Sequence, residues 1–393
     1  MNTNKPSPLA GLKVLDMSRV LAGPFAGRML SDLGADVVKV EPPEGDVTRL
    51  WGAVIGGASG YYAQQNSGKR NIGIDLKQPK GVSLVTRLAT QADILIENFR
   101  PDVMPRFRLG YSQLNALNPR LIMLSISGFG QSGPESERAA YAPVIQAELG
   151  LLQRQADMSK AYPVDLTLSV ADTNAALHGL VGVLAALHLR HTTGLGQHID
   201  LAMVDATVVT DDRLHYQIER TQGERSDGAP TQTNEVWQTA GGPMMLAGDF
   251  RHLWRMAERH IGAKDENDSL PLNEKIAARR AWYGRFLTEI CKTREAVIDA
   301  LDKMNIAWGD VRCGPEIVNQ PTVQHRGILT DIHYPDGAVR QIPQSPYRFS
   351  AAESKVRGPA PQLGQHNREV LIDWLGMDDT AIAAHAAALI TQK

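Results

Sequence analysis

The chain has 393 residues, of which 43% are hydrophobic and 21% charged, with a formal net charge of −2. That balance suits a globular protein of about two domains and offers no basic excess for nucleic acid or an anionic membrane. The first elements follow quickly. Leu12–Met17 is a short apolar run, hence a strand, and Gly23-Pro24 opens a helix that Gly34 closes. Asp36–Glu41 is a second strand, and the βαβ unit makes the pair parallel. Strands at Arg70–Leu76, Asp93–Glu97 and Leu121–Ser127, with a helix over Lys80–Gln91, continue the alternation of a doubly wound α/β domain.

Ala171–Gly194 reads as one long buried helix whose start at Asp172-Thr173-Asn174 has capping composition. Its apolar centre, Ala175–Leu189, is shorter than a bilayer requires. A strand follows over Ile199–Met203. Thr221–Asn234 has linker composition. Beyond it, short strands at Met244–Leu246 and Val311-Arg312 surround helices at Trp254–His260, Tyr283–Cys291 and Arg294–Met304. Helices are expected at Asn367–Leu375 and Thr380–Ile390. The expected plan is a large domain over 1–205 completed by 350–393, a linker over 206–234, a small α+β domain over 235–325 and a second linker over 326–349.

Cys291 and Cys313 are too few for a disulfide framework, and reduced thiols in a cytoplasmic setting are expected. Polar Met1–Pro8 lacks the apolar core of a signal peptide. His178, His188, His191 and His198 gather around one helix without acidic or thiol partners at ligand spacing, so no metal is expected. Gly128-Phe129-Gly130-Gln131-Ser132-Gly133 matches GxGxxG. It does not stand at a first βα turn, and no acidic strand end follows, so a glycine loop beside a ligand is favoured over a nicotinamide fingerprint. Asp172, by local sequence alone, is a helix N-cap.

Several longer segments carry a family likeness: residues 8–49 (PLAGLKVLDMSRVLAGPFAGRMLSDLGADVVKVEPPEGDVTR), 66–77 (NSGKRNIGIDLK), 92–103 (ADILIENFRPDV), 118–134 (NPRLIMLSISGFGQSGP) and 171–206, with shorter ones at 308–321 and 363–376. Together they resemble the class III coenzyme A transferases, the family of formyl-CoA transferase, carnitine CoA-transferase and α-methylacyl-CoA racemase. The resemblance implies a Rossmann-like doubly wound large domain, a smaller α+β domain and an interlocked ring homodimer. It implies acyl-CoA and a small carboxylic acid as substrates, with no metal or nicotinamide.

The same resemblance makes Asp172 the nucleophile, with helix-start N–H groups expected to keep it ionised. It passes through an aspartyl mixed anhydride and an aspartyl-CoA thioester. Tyr141 stands where the racemase branch carries a histidine and favours transfer, since neutral tyrosine is a poor base near neutral pH. The acid that usually follows is replaced by Ala142. CoA-binding positions implied by the likeness are Leu21, Ala22, Asp75, Leu76, Lys77, Asn98, Phe99, Arg100 and Arg106, with Lys77, Arg100 and Arg106 placed to meet phosphates. Only Gly241-Gly242 stands for the family's glycine-rich lid. The alternatives are an acyl-CoA racemase using Asp172 as acid or base, and a CoA-binding protein without turnover.

Overall fold

The computed structural model describes residues 5–219, 234–267 and 269–390. The chain divides into two compact units, Met1–Asp212 with Thr322–Lys393, and Arg213–Pro321. The first is built on a seven-stranded sheet. Its elements are β1 (Lys13–Asp16), α1 (Ala22–Asp32), β2 (Asp36–Glu41), β3 (Arg70–Ile74), β4 (Ile94–Glu97), β5 (Ile122–Ser127), α2 (Val170–Thr193), β6 (His198–Ala202) and β7 (Leu389–Ile390). The order across the sheet is β7-β3-β2-β1-β4-β5-β6. Neighbours pair in parallel except β7, which runs antiparallel to β3.

Helices cover both faces, so the strands are near-continuous apolar runs. Val14, Ile94, Ile96, Ile122 and Leu124 pack toward α1 and α2. Leu15, Val38, Ile72 and Leu95 pack toward the helices Pro79–Gln91 and Asn367–Leu375. The strand order reverses beside β1: β2 and β3 lie on one side, β4 to β6 on the other. Ligands of open α/β sheets bind at the carboxyl ends of strands flanking such a switch.

The small unit carries a three-stranded antiparallel sheet in the order Trp308–Asp310, Gly242–Leu246, Glu235–Thr239. Helices Phe250–Ile261, Leu272–Arg285 and Arg294–Lys303 close a core of Leu253, Trp254, Tyr283, Leu287 and Leu301. Gly241 lies in the tight turn between two of these strands and Gly242 opens the second at φ +100°, with Thr239 Oγ1 accepting the Gly241 N–H at 3.0 Å.

Several expectations change. The stretch 206–234 begins with helices Met203–Thr210 and Leu214–Glu219, and residues 220–233 lie outside the described residues. The stretch 326–349 is no bare linker: Leu329–His333 and Val339–Pro343 form a hairpin, and Arg340 donates to the carbonyls of Ala53 and Ala58 at 2.9 Å each. The expected helix Thr380–Ile390 stops early, at Ala383, and Leu389–Ile390 forms β7. The strand expected at Val311-Arg312 sits at Trp308–Asp310 instead.

Candidate active site

The loops after β1 and β4 meet at the switch point. The Arg19 N–H donates to Asn98 Oδ1 at 2.7 Å, and Asn98 Nδ2 donates back to the Arg19 carbonyl at 2.8 Å. Val20 is held at φ +67°, a costly region for a β-branched residue, and its N–H donates to Asp46 Oδ2 at 3.1 Å. α1 starts directly on this loop. A Cβ on Gly23 would lie 2.1 Å from Ser18 Cβ, so only glycine permits the approach.

A buried ionic network supports the loop from below. Asp16 Oδ2 accepts from Lys69 Nζ at 2.8 Å, and its Oδ1 accepts the Ser18 N–H at 3.0 Å and the Ser18 hydroxyl. Burial alone would raise the Asp16 carboxyl, but Lys69 and Lys39 hold it below its ordinary value. Lys39 Nζ donates to the Ser18 carbonyl at 2.8 Å and faces Asp46 at 3.3 Å. Glu41 forms a fork with Arg49, both bonds 2.8 Å, and accepts from the Tyr62 hydroxyl at 2.6 Å. Every buried charge here has a partner, as burial demands.

Because α2 leads into parallel strand β6, it runs back across the sheet, and its N-terminus lies at the carboxyl edge with these loops. The helix starts at Val170, so Asp172 is the third helical residue and not the cap. Ser169, at the cap position, makes no side-chain capping bond. The buried Gln146 side chain serves instead, accepting the Ala171 N–H at 3.4 Å. Asp172 is half-buried. Burial pushes its carboxyl up to about 6, opposed by a hydrogen bond from the Ala142 N–H. The expectation of a carboxylate held ionised by its own helix start is therefore corrected. Desolvation dominates, and the donor belongs to the neighbouring helix Ala142–Glu148.

Tyr61, from the helix Gly60–Asn66, is the residue the sequence did not reveal. Its hydroxyl is pushed up to about 12, by burial first and then by the negative charges of Asp172 and Asp46. Trp51 packs edge-on against its ring at 5.1 Å between centroids. Nothing in the spacing of residues 51–62 points to a site, because their placement depends on the Glu41 and Asp46 contacts just described.

The expected CoA positions divide by location. Leu21 and Ala22 are buried at the start of α1, and Asn98, Phe99 and Arg100 follow β4 beside them. Asp75, Leu76 and Lys77 follow β3 at the same edge, where Asp75 Oδ1 accepts the Lys77 N–H at 2.9 Å. Lys77 and Arg100 are exposed. Arg106 stands farther along, in an exposed ion pair with Asp102 at 3.2 Å. Tyr141 caps the backbone of helix Ala142–Glu148 and is 66% exposed, so its main link to Asp172 runs through the next residue's N–H. In the loop after β5, the Gln131 N–H donates to Asp200 at 3.1 Å. No group of three or more His, Cys, Asp or Glu placed for a metal occurs among the described residues.

The family model for CoA-transferase family III matches residues 9–367. The chain belongs to CoA-transferase family III. It is 35% identical over 396 residues to a succinate–glutarate CoA-transferase of Agrobacterium fabrum, covering 96% of this chain and 98% of the relative. It is 41% identical to an acetyl-CoA:oxalate CoA-transferase of Acetobacter aceti, covering 91% and 93%. A CAIB/BAIF family protein from Brucella suis shares the fold with a TM-score of 0.79 at 31% identity, over 94% of this chain and all of that one. As a family III CoA-transferase the protein is an enzyme acting on acyl-CoA and carboxylic acids. The racemase alternative draws no support from these relatives.

Proposed function

We propose that this enzyme moves CoA between short dicarboxylic acids through covalent intermediates on Asp172. The observation that carries the reading is the half-buried Asp172 carboxylate at the switch-point edge, with the Ala142 N–H as donor and Tyr61 within electrostatic reach. A desolvated carboxylate of raised basicity is a stronger nucleophile than one in water, and it is still ionised near neutral pH.

Asp172 Oδ attacks the thioester carbonyl, the C–S bond breaks, and a mixed anhydride and CoA thiolate result. The thiolate attacks the aspartyl carbonyl, the anhydride C–O bond breaks, and the first acid leaves as its carboxylate. An acceptor carboxylate attacks the aspartyl-CoA thioester and expels the thiolate. Its attack on the new acyl carbonyl releases the product thioester and restores Asp172. The loops at 21–22, 75–77 and 98–100, with Arg106, hold CoA. Relatives named for succinate, glutarate and oxalate support dicarboxylic substrates.

A second copy of the chain covers the outer side of α2, where Leu177, Val181 and Leu184 lie exposed on one stripe.

Incubation with acetyl-CoA and the CoA thioesters of succinate and glutarate, trapping with hydroxylamine and peptide mapping tests the mechanism. A hydroxamate at Asp172 is expected. Turnover of a donor without label at Asp172 overturns the reading.

A further inference from the structure

A second cluster of titratable groups lies on the opposite face of the sheet from α2 and has no part in the transfer steps. Glu97 ends β4 and is 3% exposed. Its Oε2 accepts the Phe99 N–H at 2.8 Å, and the Ser125 hydroxyl of adjacent β5 donates to the same carboxyl group. Ser125 Oγ in turn lies 2.8 Å from His198 Nε2 on β6, and the His198 ring stacks on Tyr111 at 5.2 Å between centroids. The remaining charge facing the group is Asp200 of β6. On the β1 side stands uncharged Met17, whose N–H goes to the Ile96 carbonyl.

We propose that Glu97, through the Ser125–His198 chain, is the positioning residue that holds the Asn98–Arg100 loop in the form that receives CoA, so that CoA affinity follows the protonation of this cluster. The inference rests on the assignment of residues 98–100 to CoA. The chemistry is a two-way hydrogen-bond chain. With Glu97 ionised, His198 Nε2–H donates to Ser125 Oγ, and the Ser125 hydroxyl and Phe99 N–H both donate to the carboxylate. With Glu97 protonated, its O–H donates to Ser125, Ser125 donates to His198 Nε2, and His198 takes its other tautomer. Phe99 then faces a neutral acid, a weaker acceptor than a carboxylate. Asn98, the residue between Glu97 and Phe99, takes up the difference directly, and it clamps the loop after β1.

The electrostatics place this exchange in the working range. Burial pushes the Glu97 carboxyl up to about 7, aided by Asp200 and opposed by Ser125 and the Phe99 N–H. Burial also lowers the His198 ring, which favours its neutral form.

Calorimetric binding of CoA to the full-length wild type, Glu97→Gln and Asn98→Ala between pH 6 and 8 tests the proposal. Glutamine keeps the shape and an acceptor oxygen but does not titrate. Wild-type affinity is expected to fall about fivefold as pH drops through 7, beyond any change due to CoA itself, and Glu97→Gln is expected to lose that step. Asn98→Ala is expected to weaken binding at every pH. If Asn98→Ala binds CoA like the wild type, the loop assignment fails and the proposal with it. If Asn98→Ala is weakened but Glu97→Gln keeps the wild-type pH profile, the proposal alone is overturned. Should Glu97→Gln not fold, Ser125→Ala replaces it. Loss of the hydroxyl donor is expected to move the step to higher pH, and an unmoved step overturns the proposal.

Discussion

As the proposed nucleophile, Asp172 faces two demands that conflict in water: ionisation for attack and poor solvation for reactivity. Half-burial at the third position of α2 meets both, with its carboxyl near 6. Only the ionised form attacks, so kcat/KM for acyl-CoA should fall as pH drops through about 6, with a unit slope in a logarithmic profile. A stopped assay of thioester exchange across pH 5–8 reads this. Tyr61 stays protonated at neutral pH, since burial and the Asp172 charge push its hydroxyl to about 12. On the proposed mechanism it serves as a donor to charge developing at Asp172. Tyr61→Phe should reduce kcat about 10–100-fold with little change in thermal stability, below the 10²–10³ typical of a full oxyanion donor. Equal kcat in the two proteins would remove Tyr61 from the site.

At the scale of elements, α2 is a helix with two apolar sides. Ala171, Ala175, Ala176, Gly179 and Val183 press onto the sheet, and Leu177, Val181 and Leu184 face outward. Gly179 allows the close approach without displacing Leu124, whose Cδ2 would sit 2.9 Å from a Cβ there. The sequence predicts a buried helix because its apolar content does not distinguish a core-facing side from a partner-facing one. The double variant Val181→Glu with Leu184→Glu should shift the protein from dimer to monomer in light scattering, while far-UV circular dichroism stays unchanged. A wild type that is already monomeric would refute the second-copy assignment. The cap of α2 carries the same lesson: capping composition at 172–174 is real, but Gln146 supplies the acceptor from another helix, so the start moves to Val170.

Across the large unit, the ion network under the switch point joins segments far apart in sequence. Lys69 alone bonds Asp16 at the end of β1, the Pro24 carbonyl in α1 and Asn66 Oδ1, each at 2.8 Å. Lys69→Met would leave Asp16 buried without its main partner. It should lower stability by about 3–5 kcal/mol, read as a drop in the urea midpoint. A midpoint within error of the wild type would show that the network rearranges freely.

The sequence by itself determined the parallel α/β alternation, the long helix ending at Gly194 and the motifs of the family, on which the proposal for Asp172 rests. These rest on local patterning: apolar runs between turn residues, helix-closing glycines and contiguous motifs. The tertiary structure alone decided that Tyr61 stands near Asp172, that Gln146 caps α2, that Glu97 joins Ser125 and His198, and that residues 389–390 complete the sheet. Desolvation and long-range hydrogen bonds belong to positions brought together by folding, and they leave no spacing in the chain from which to read them.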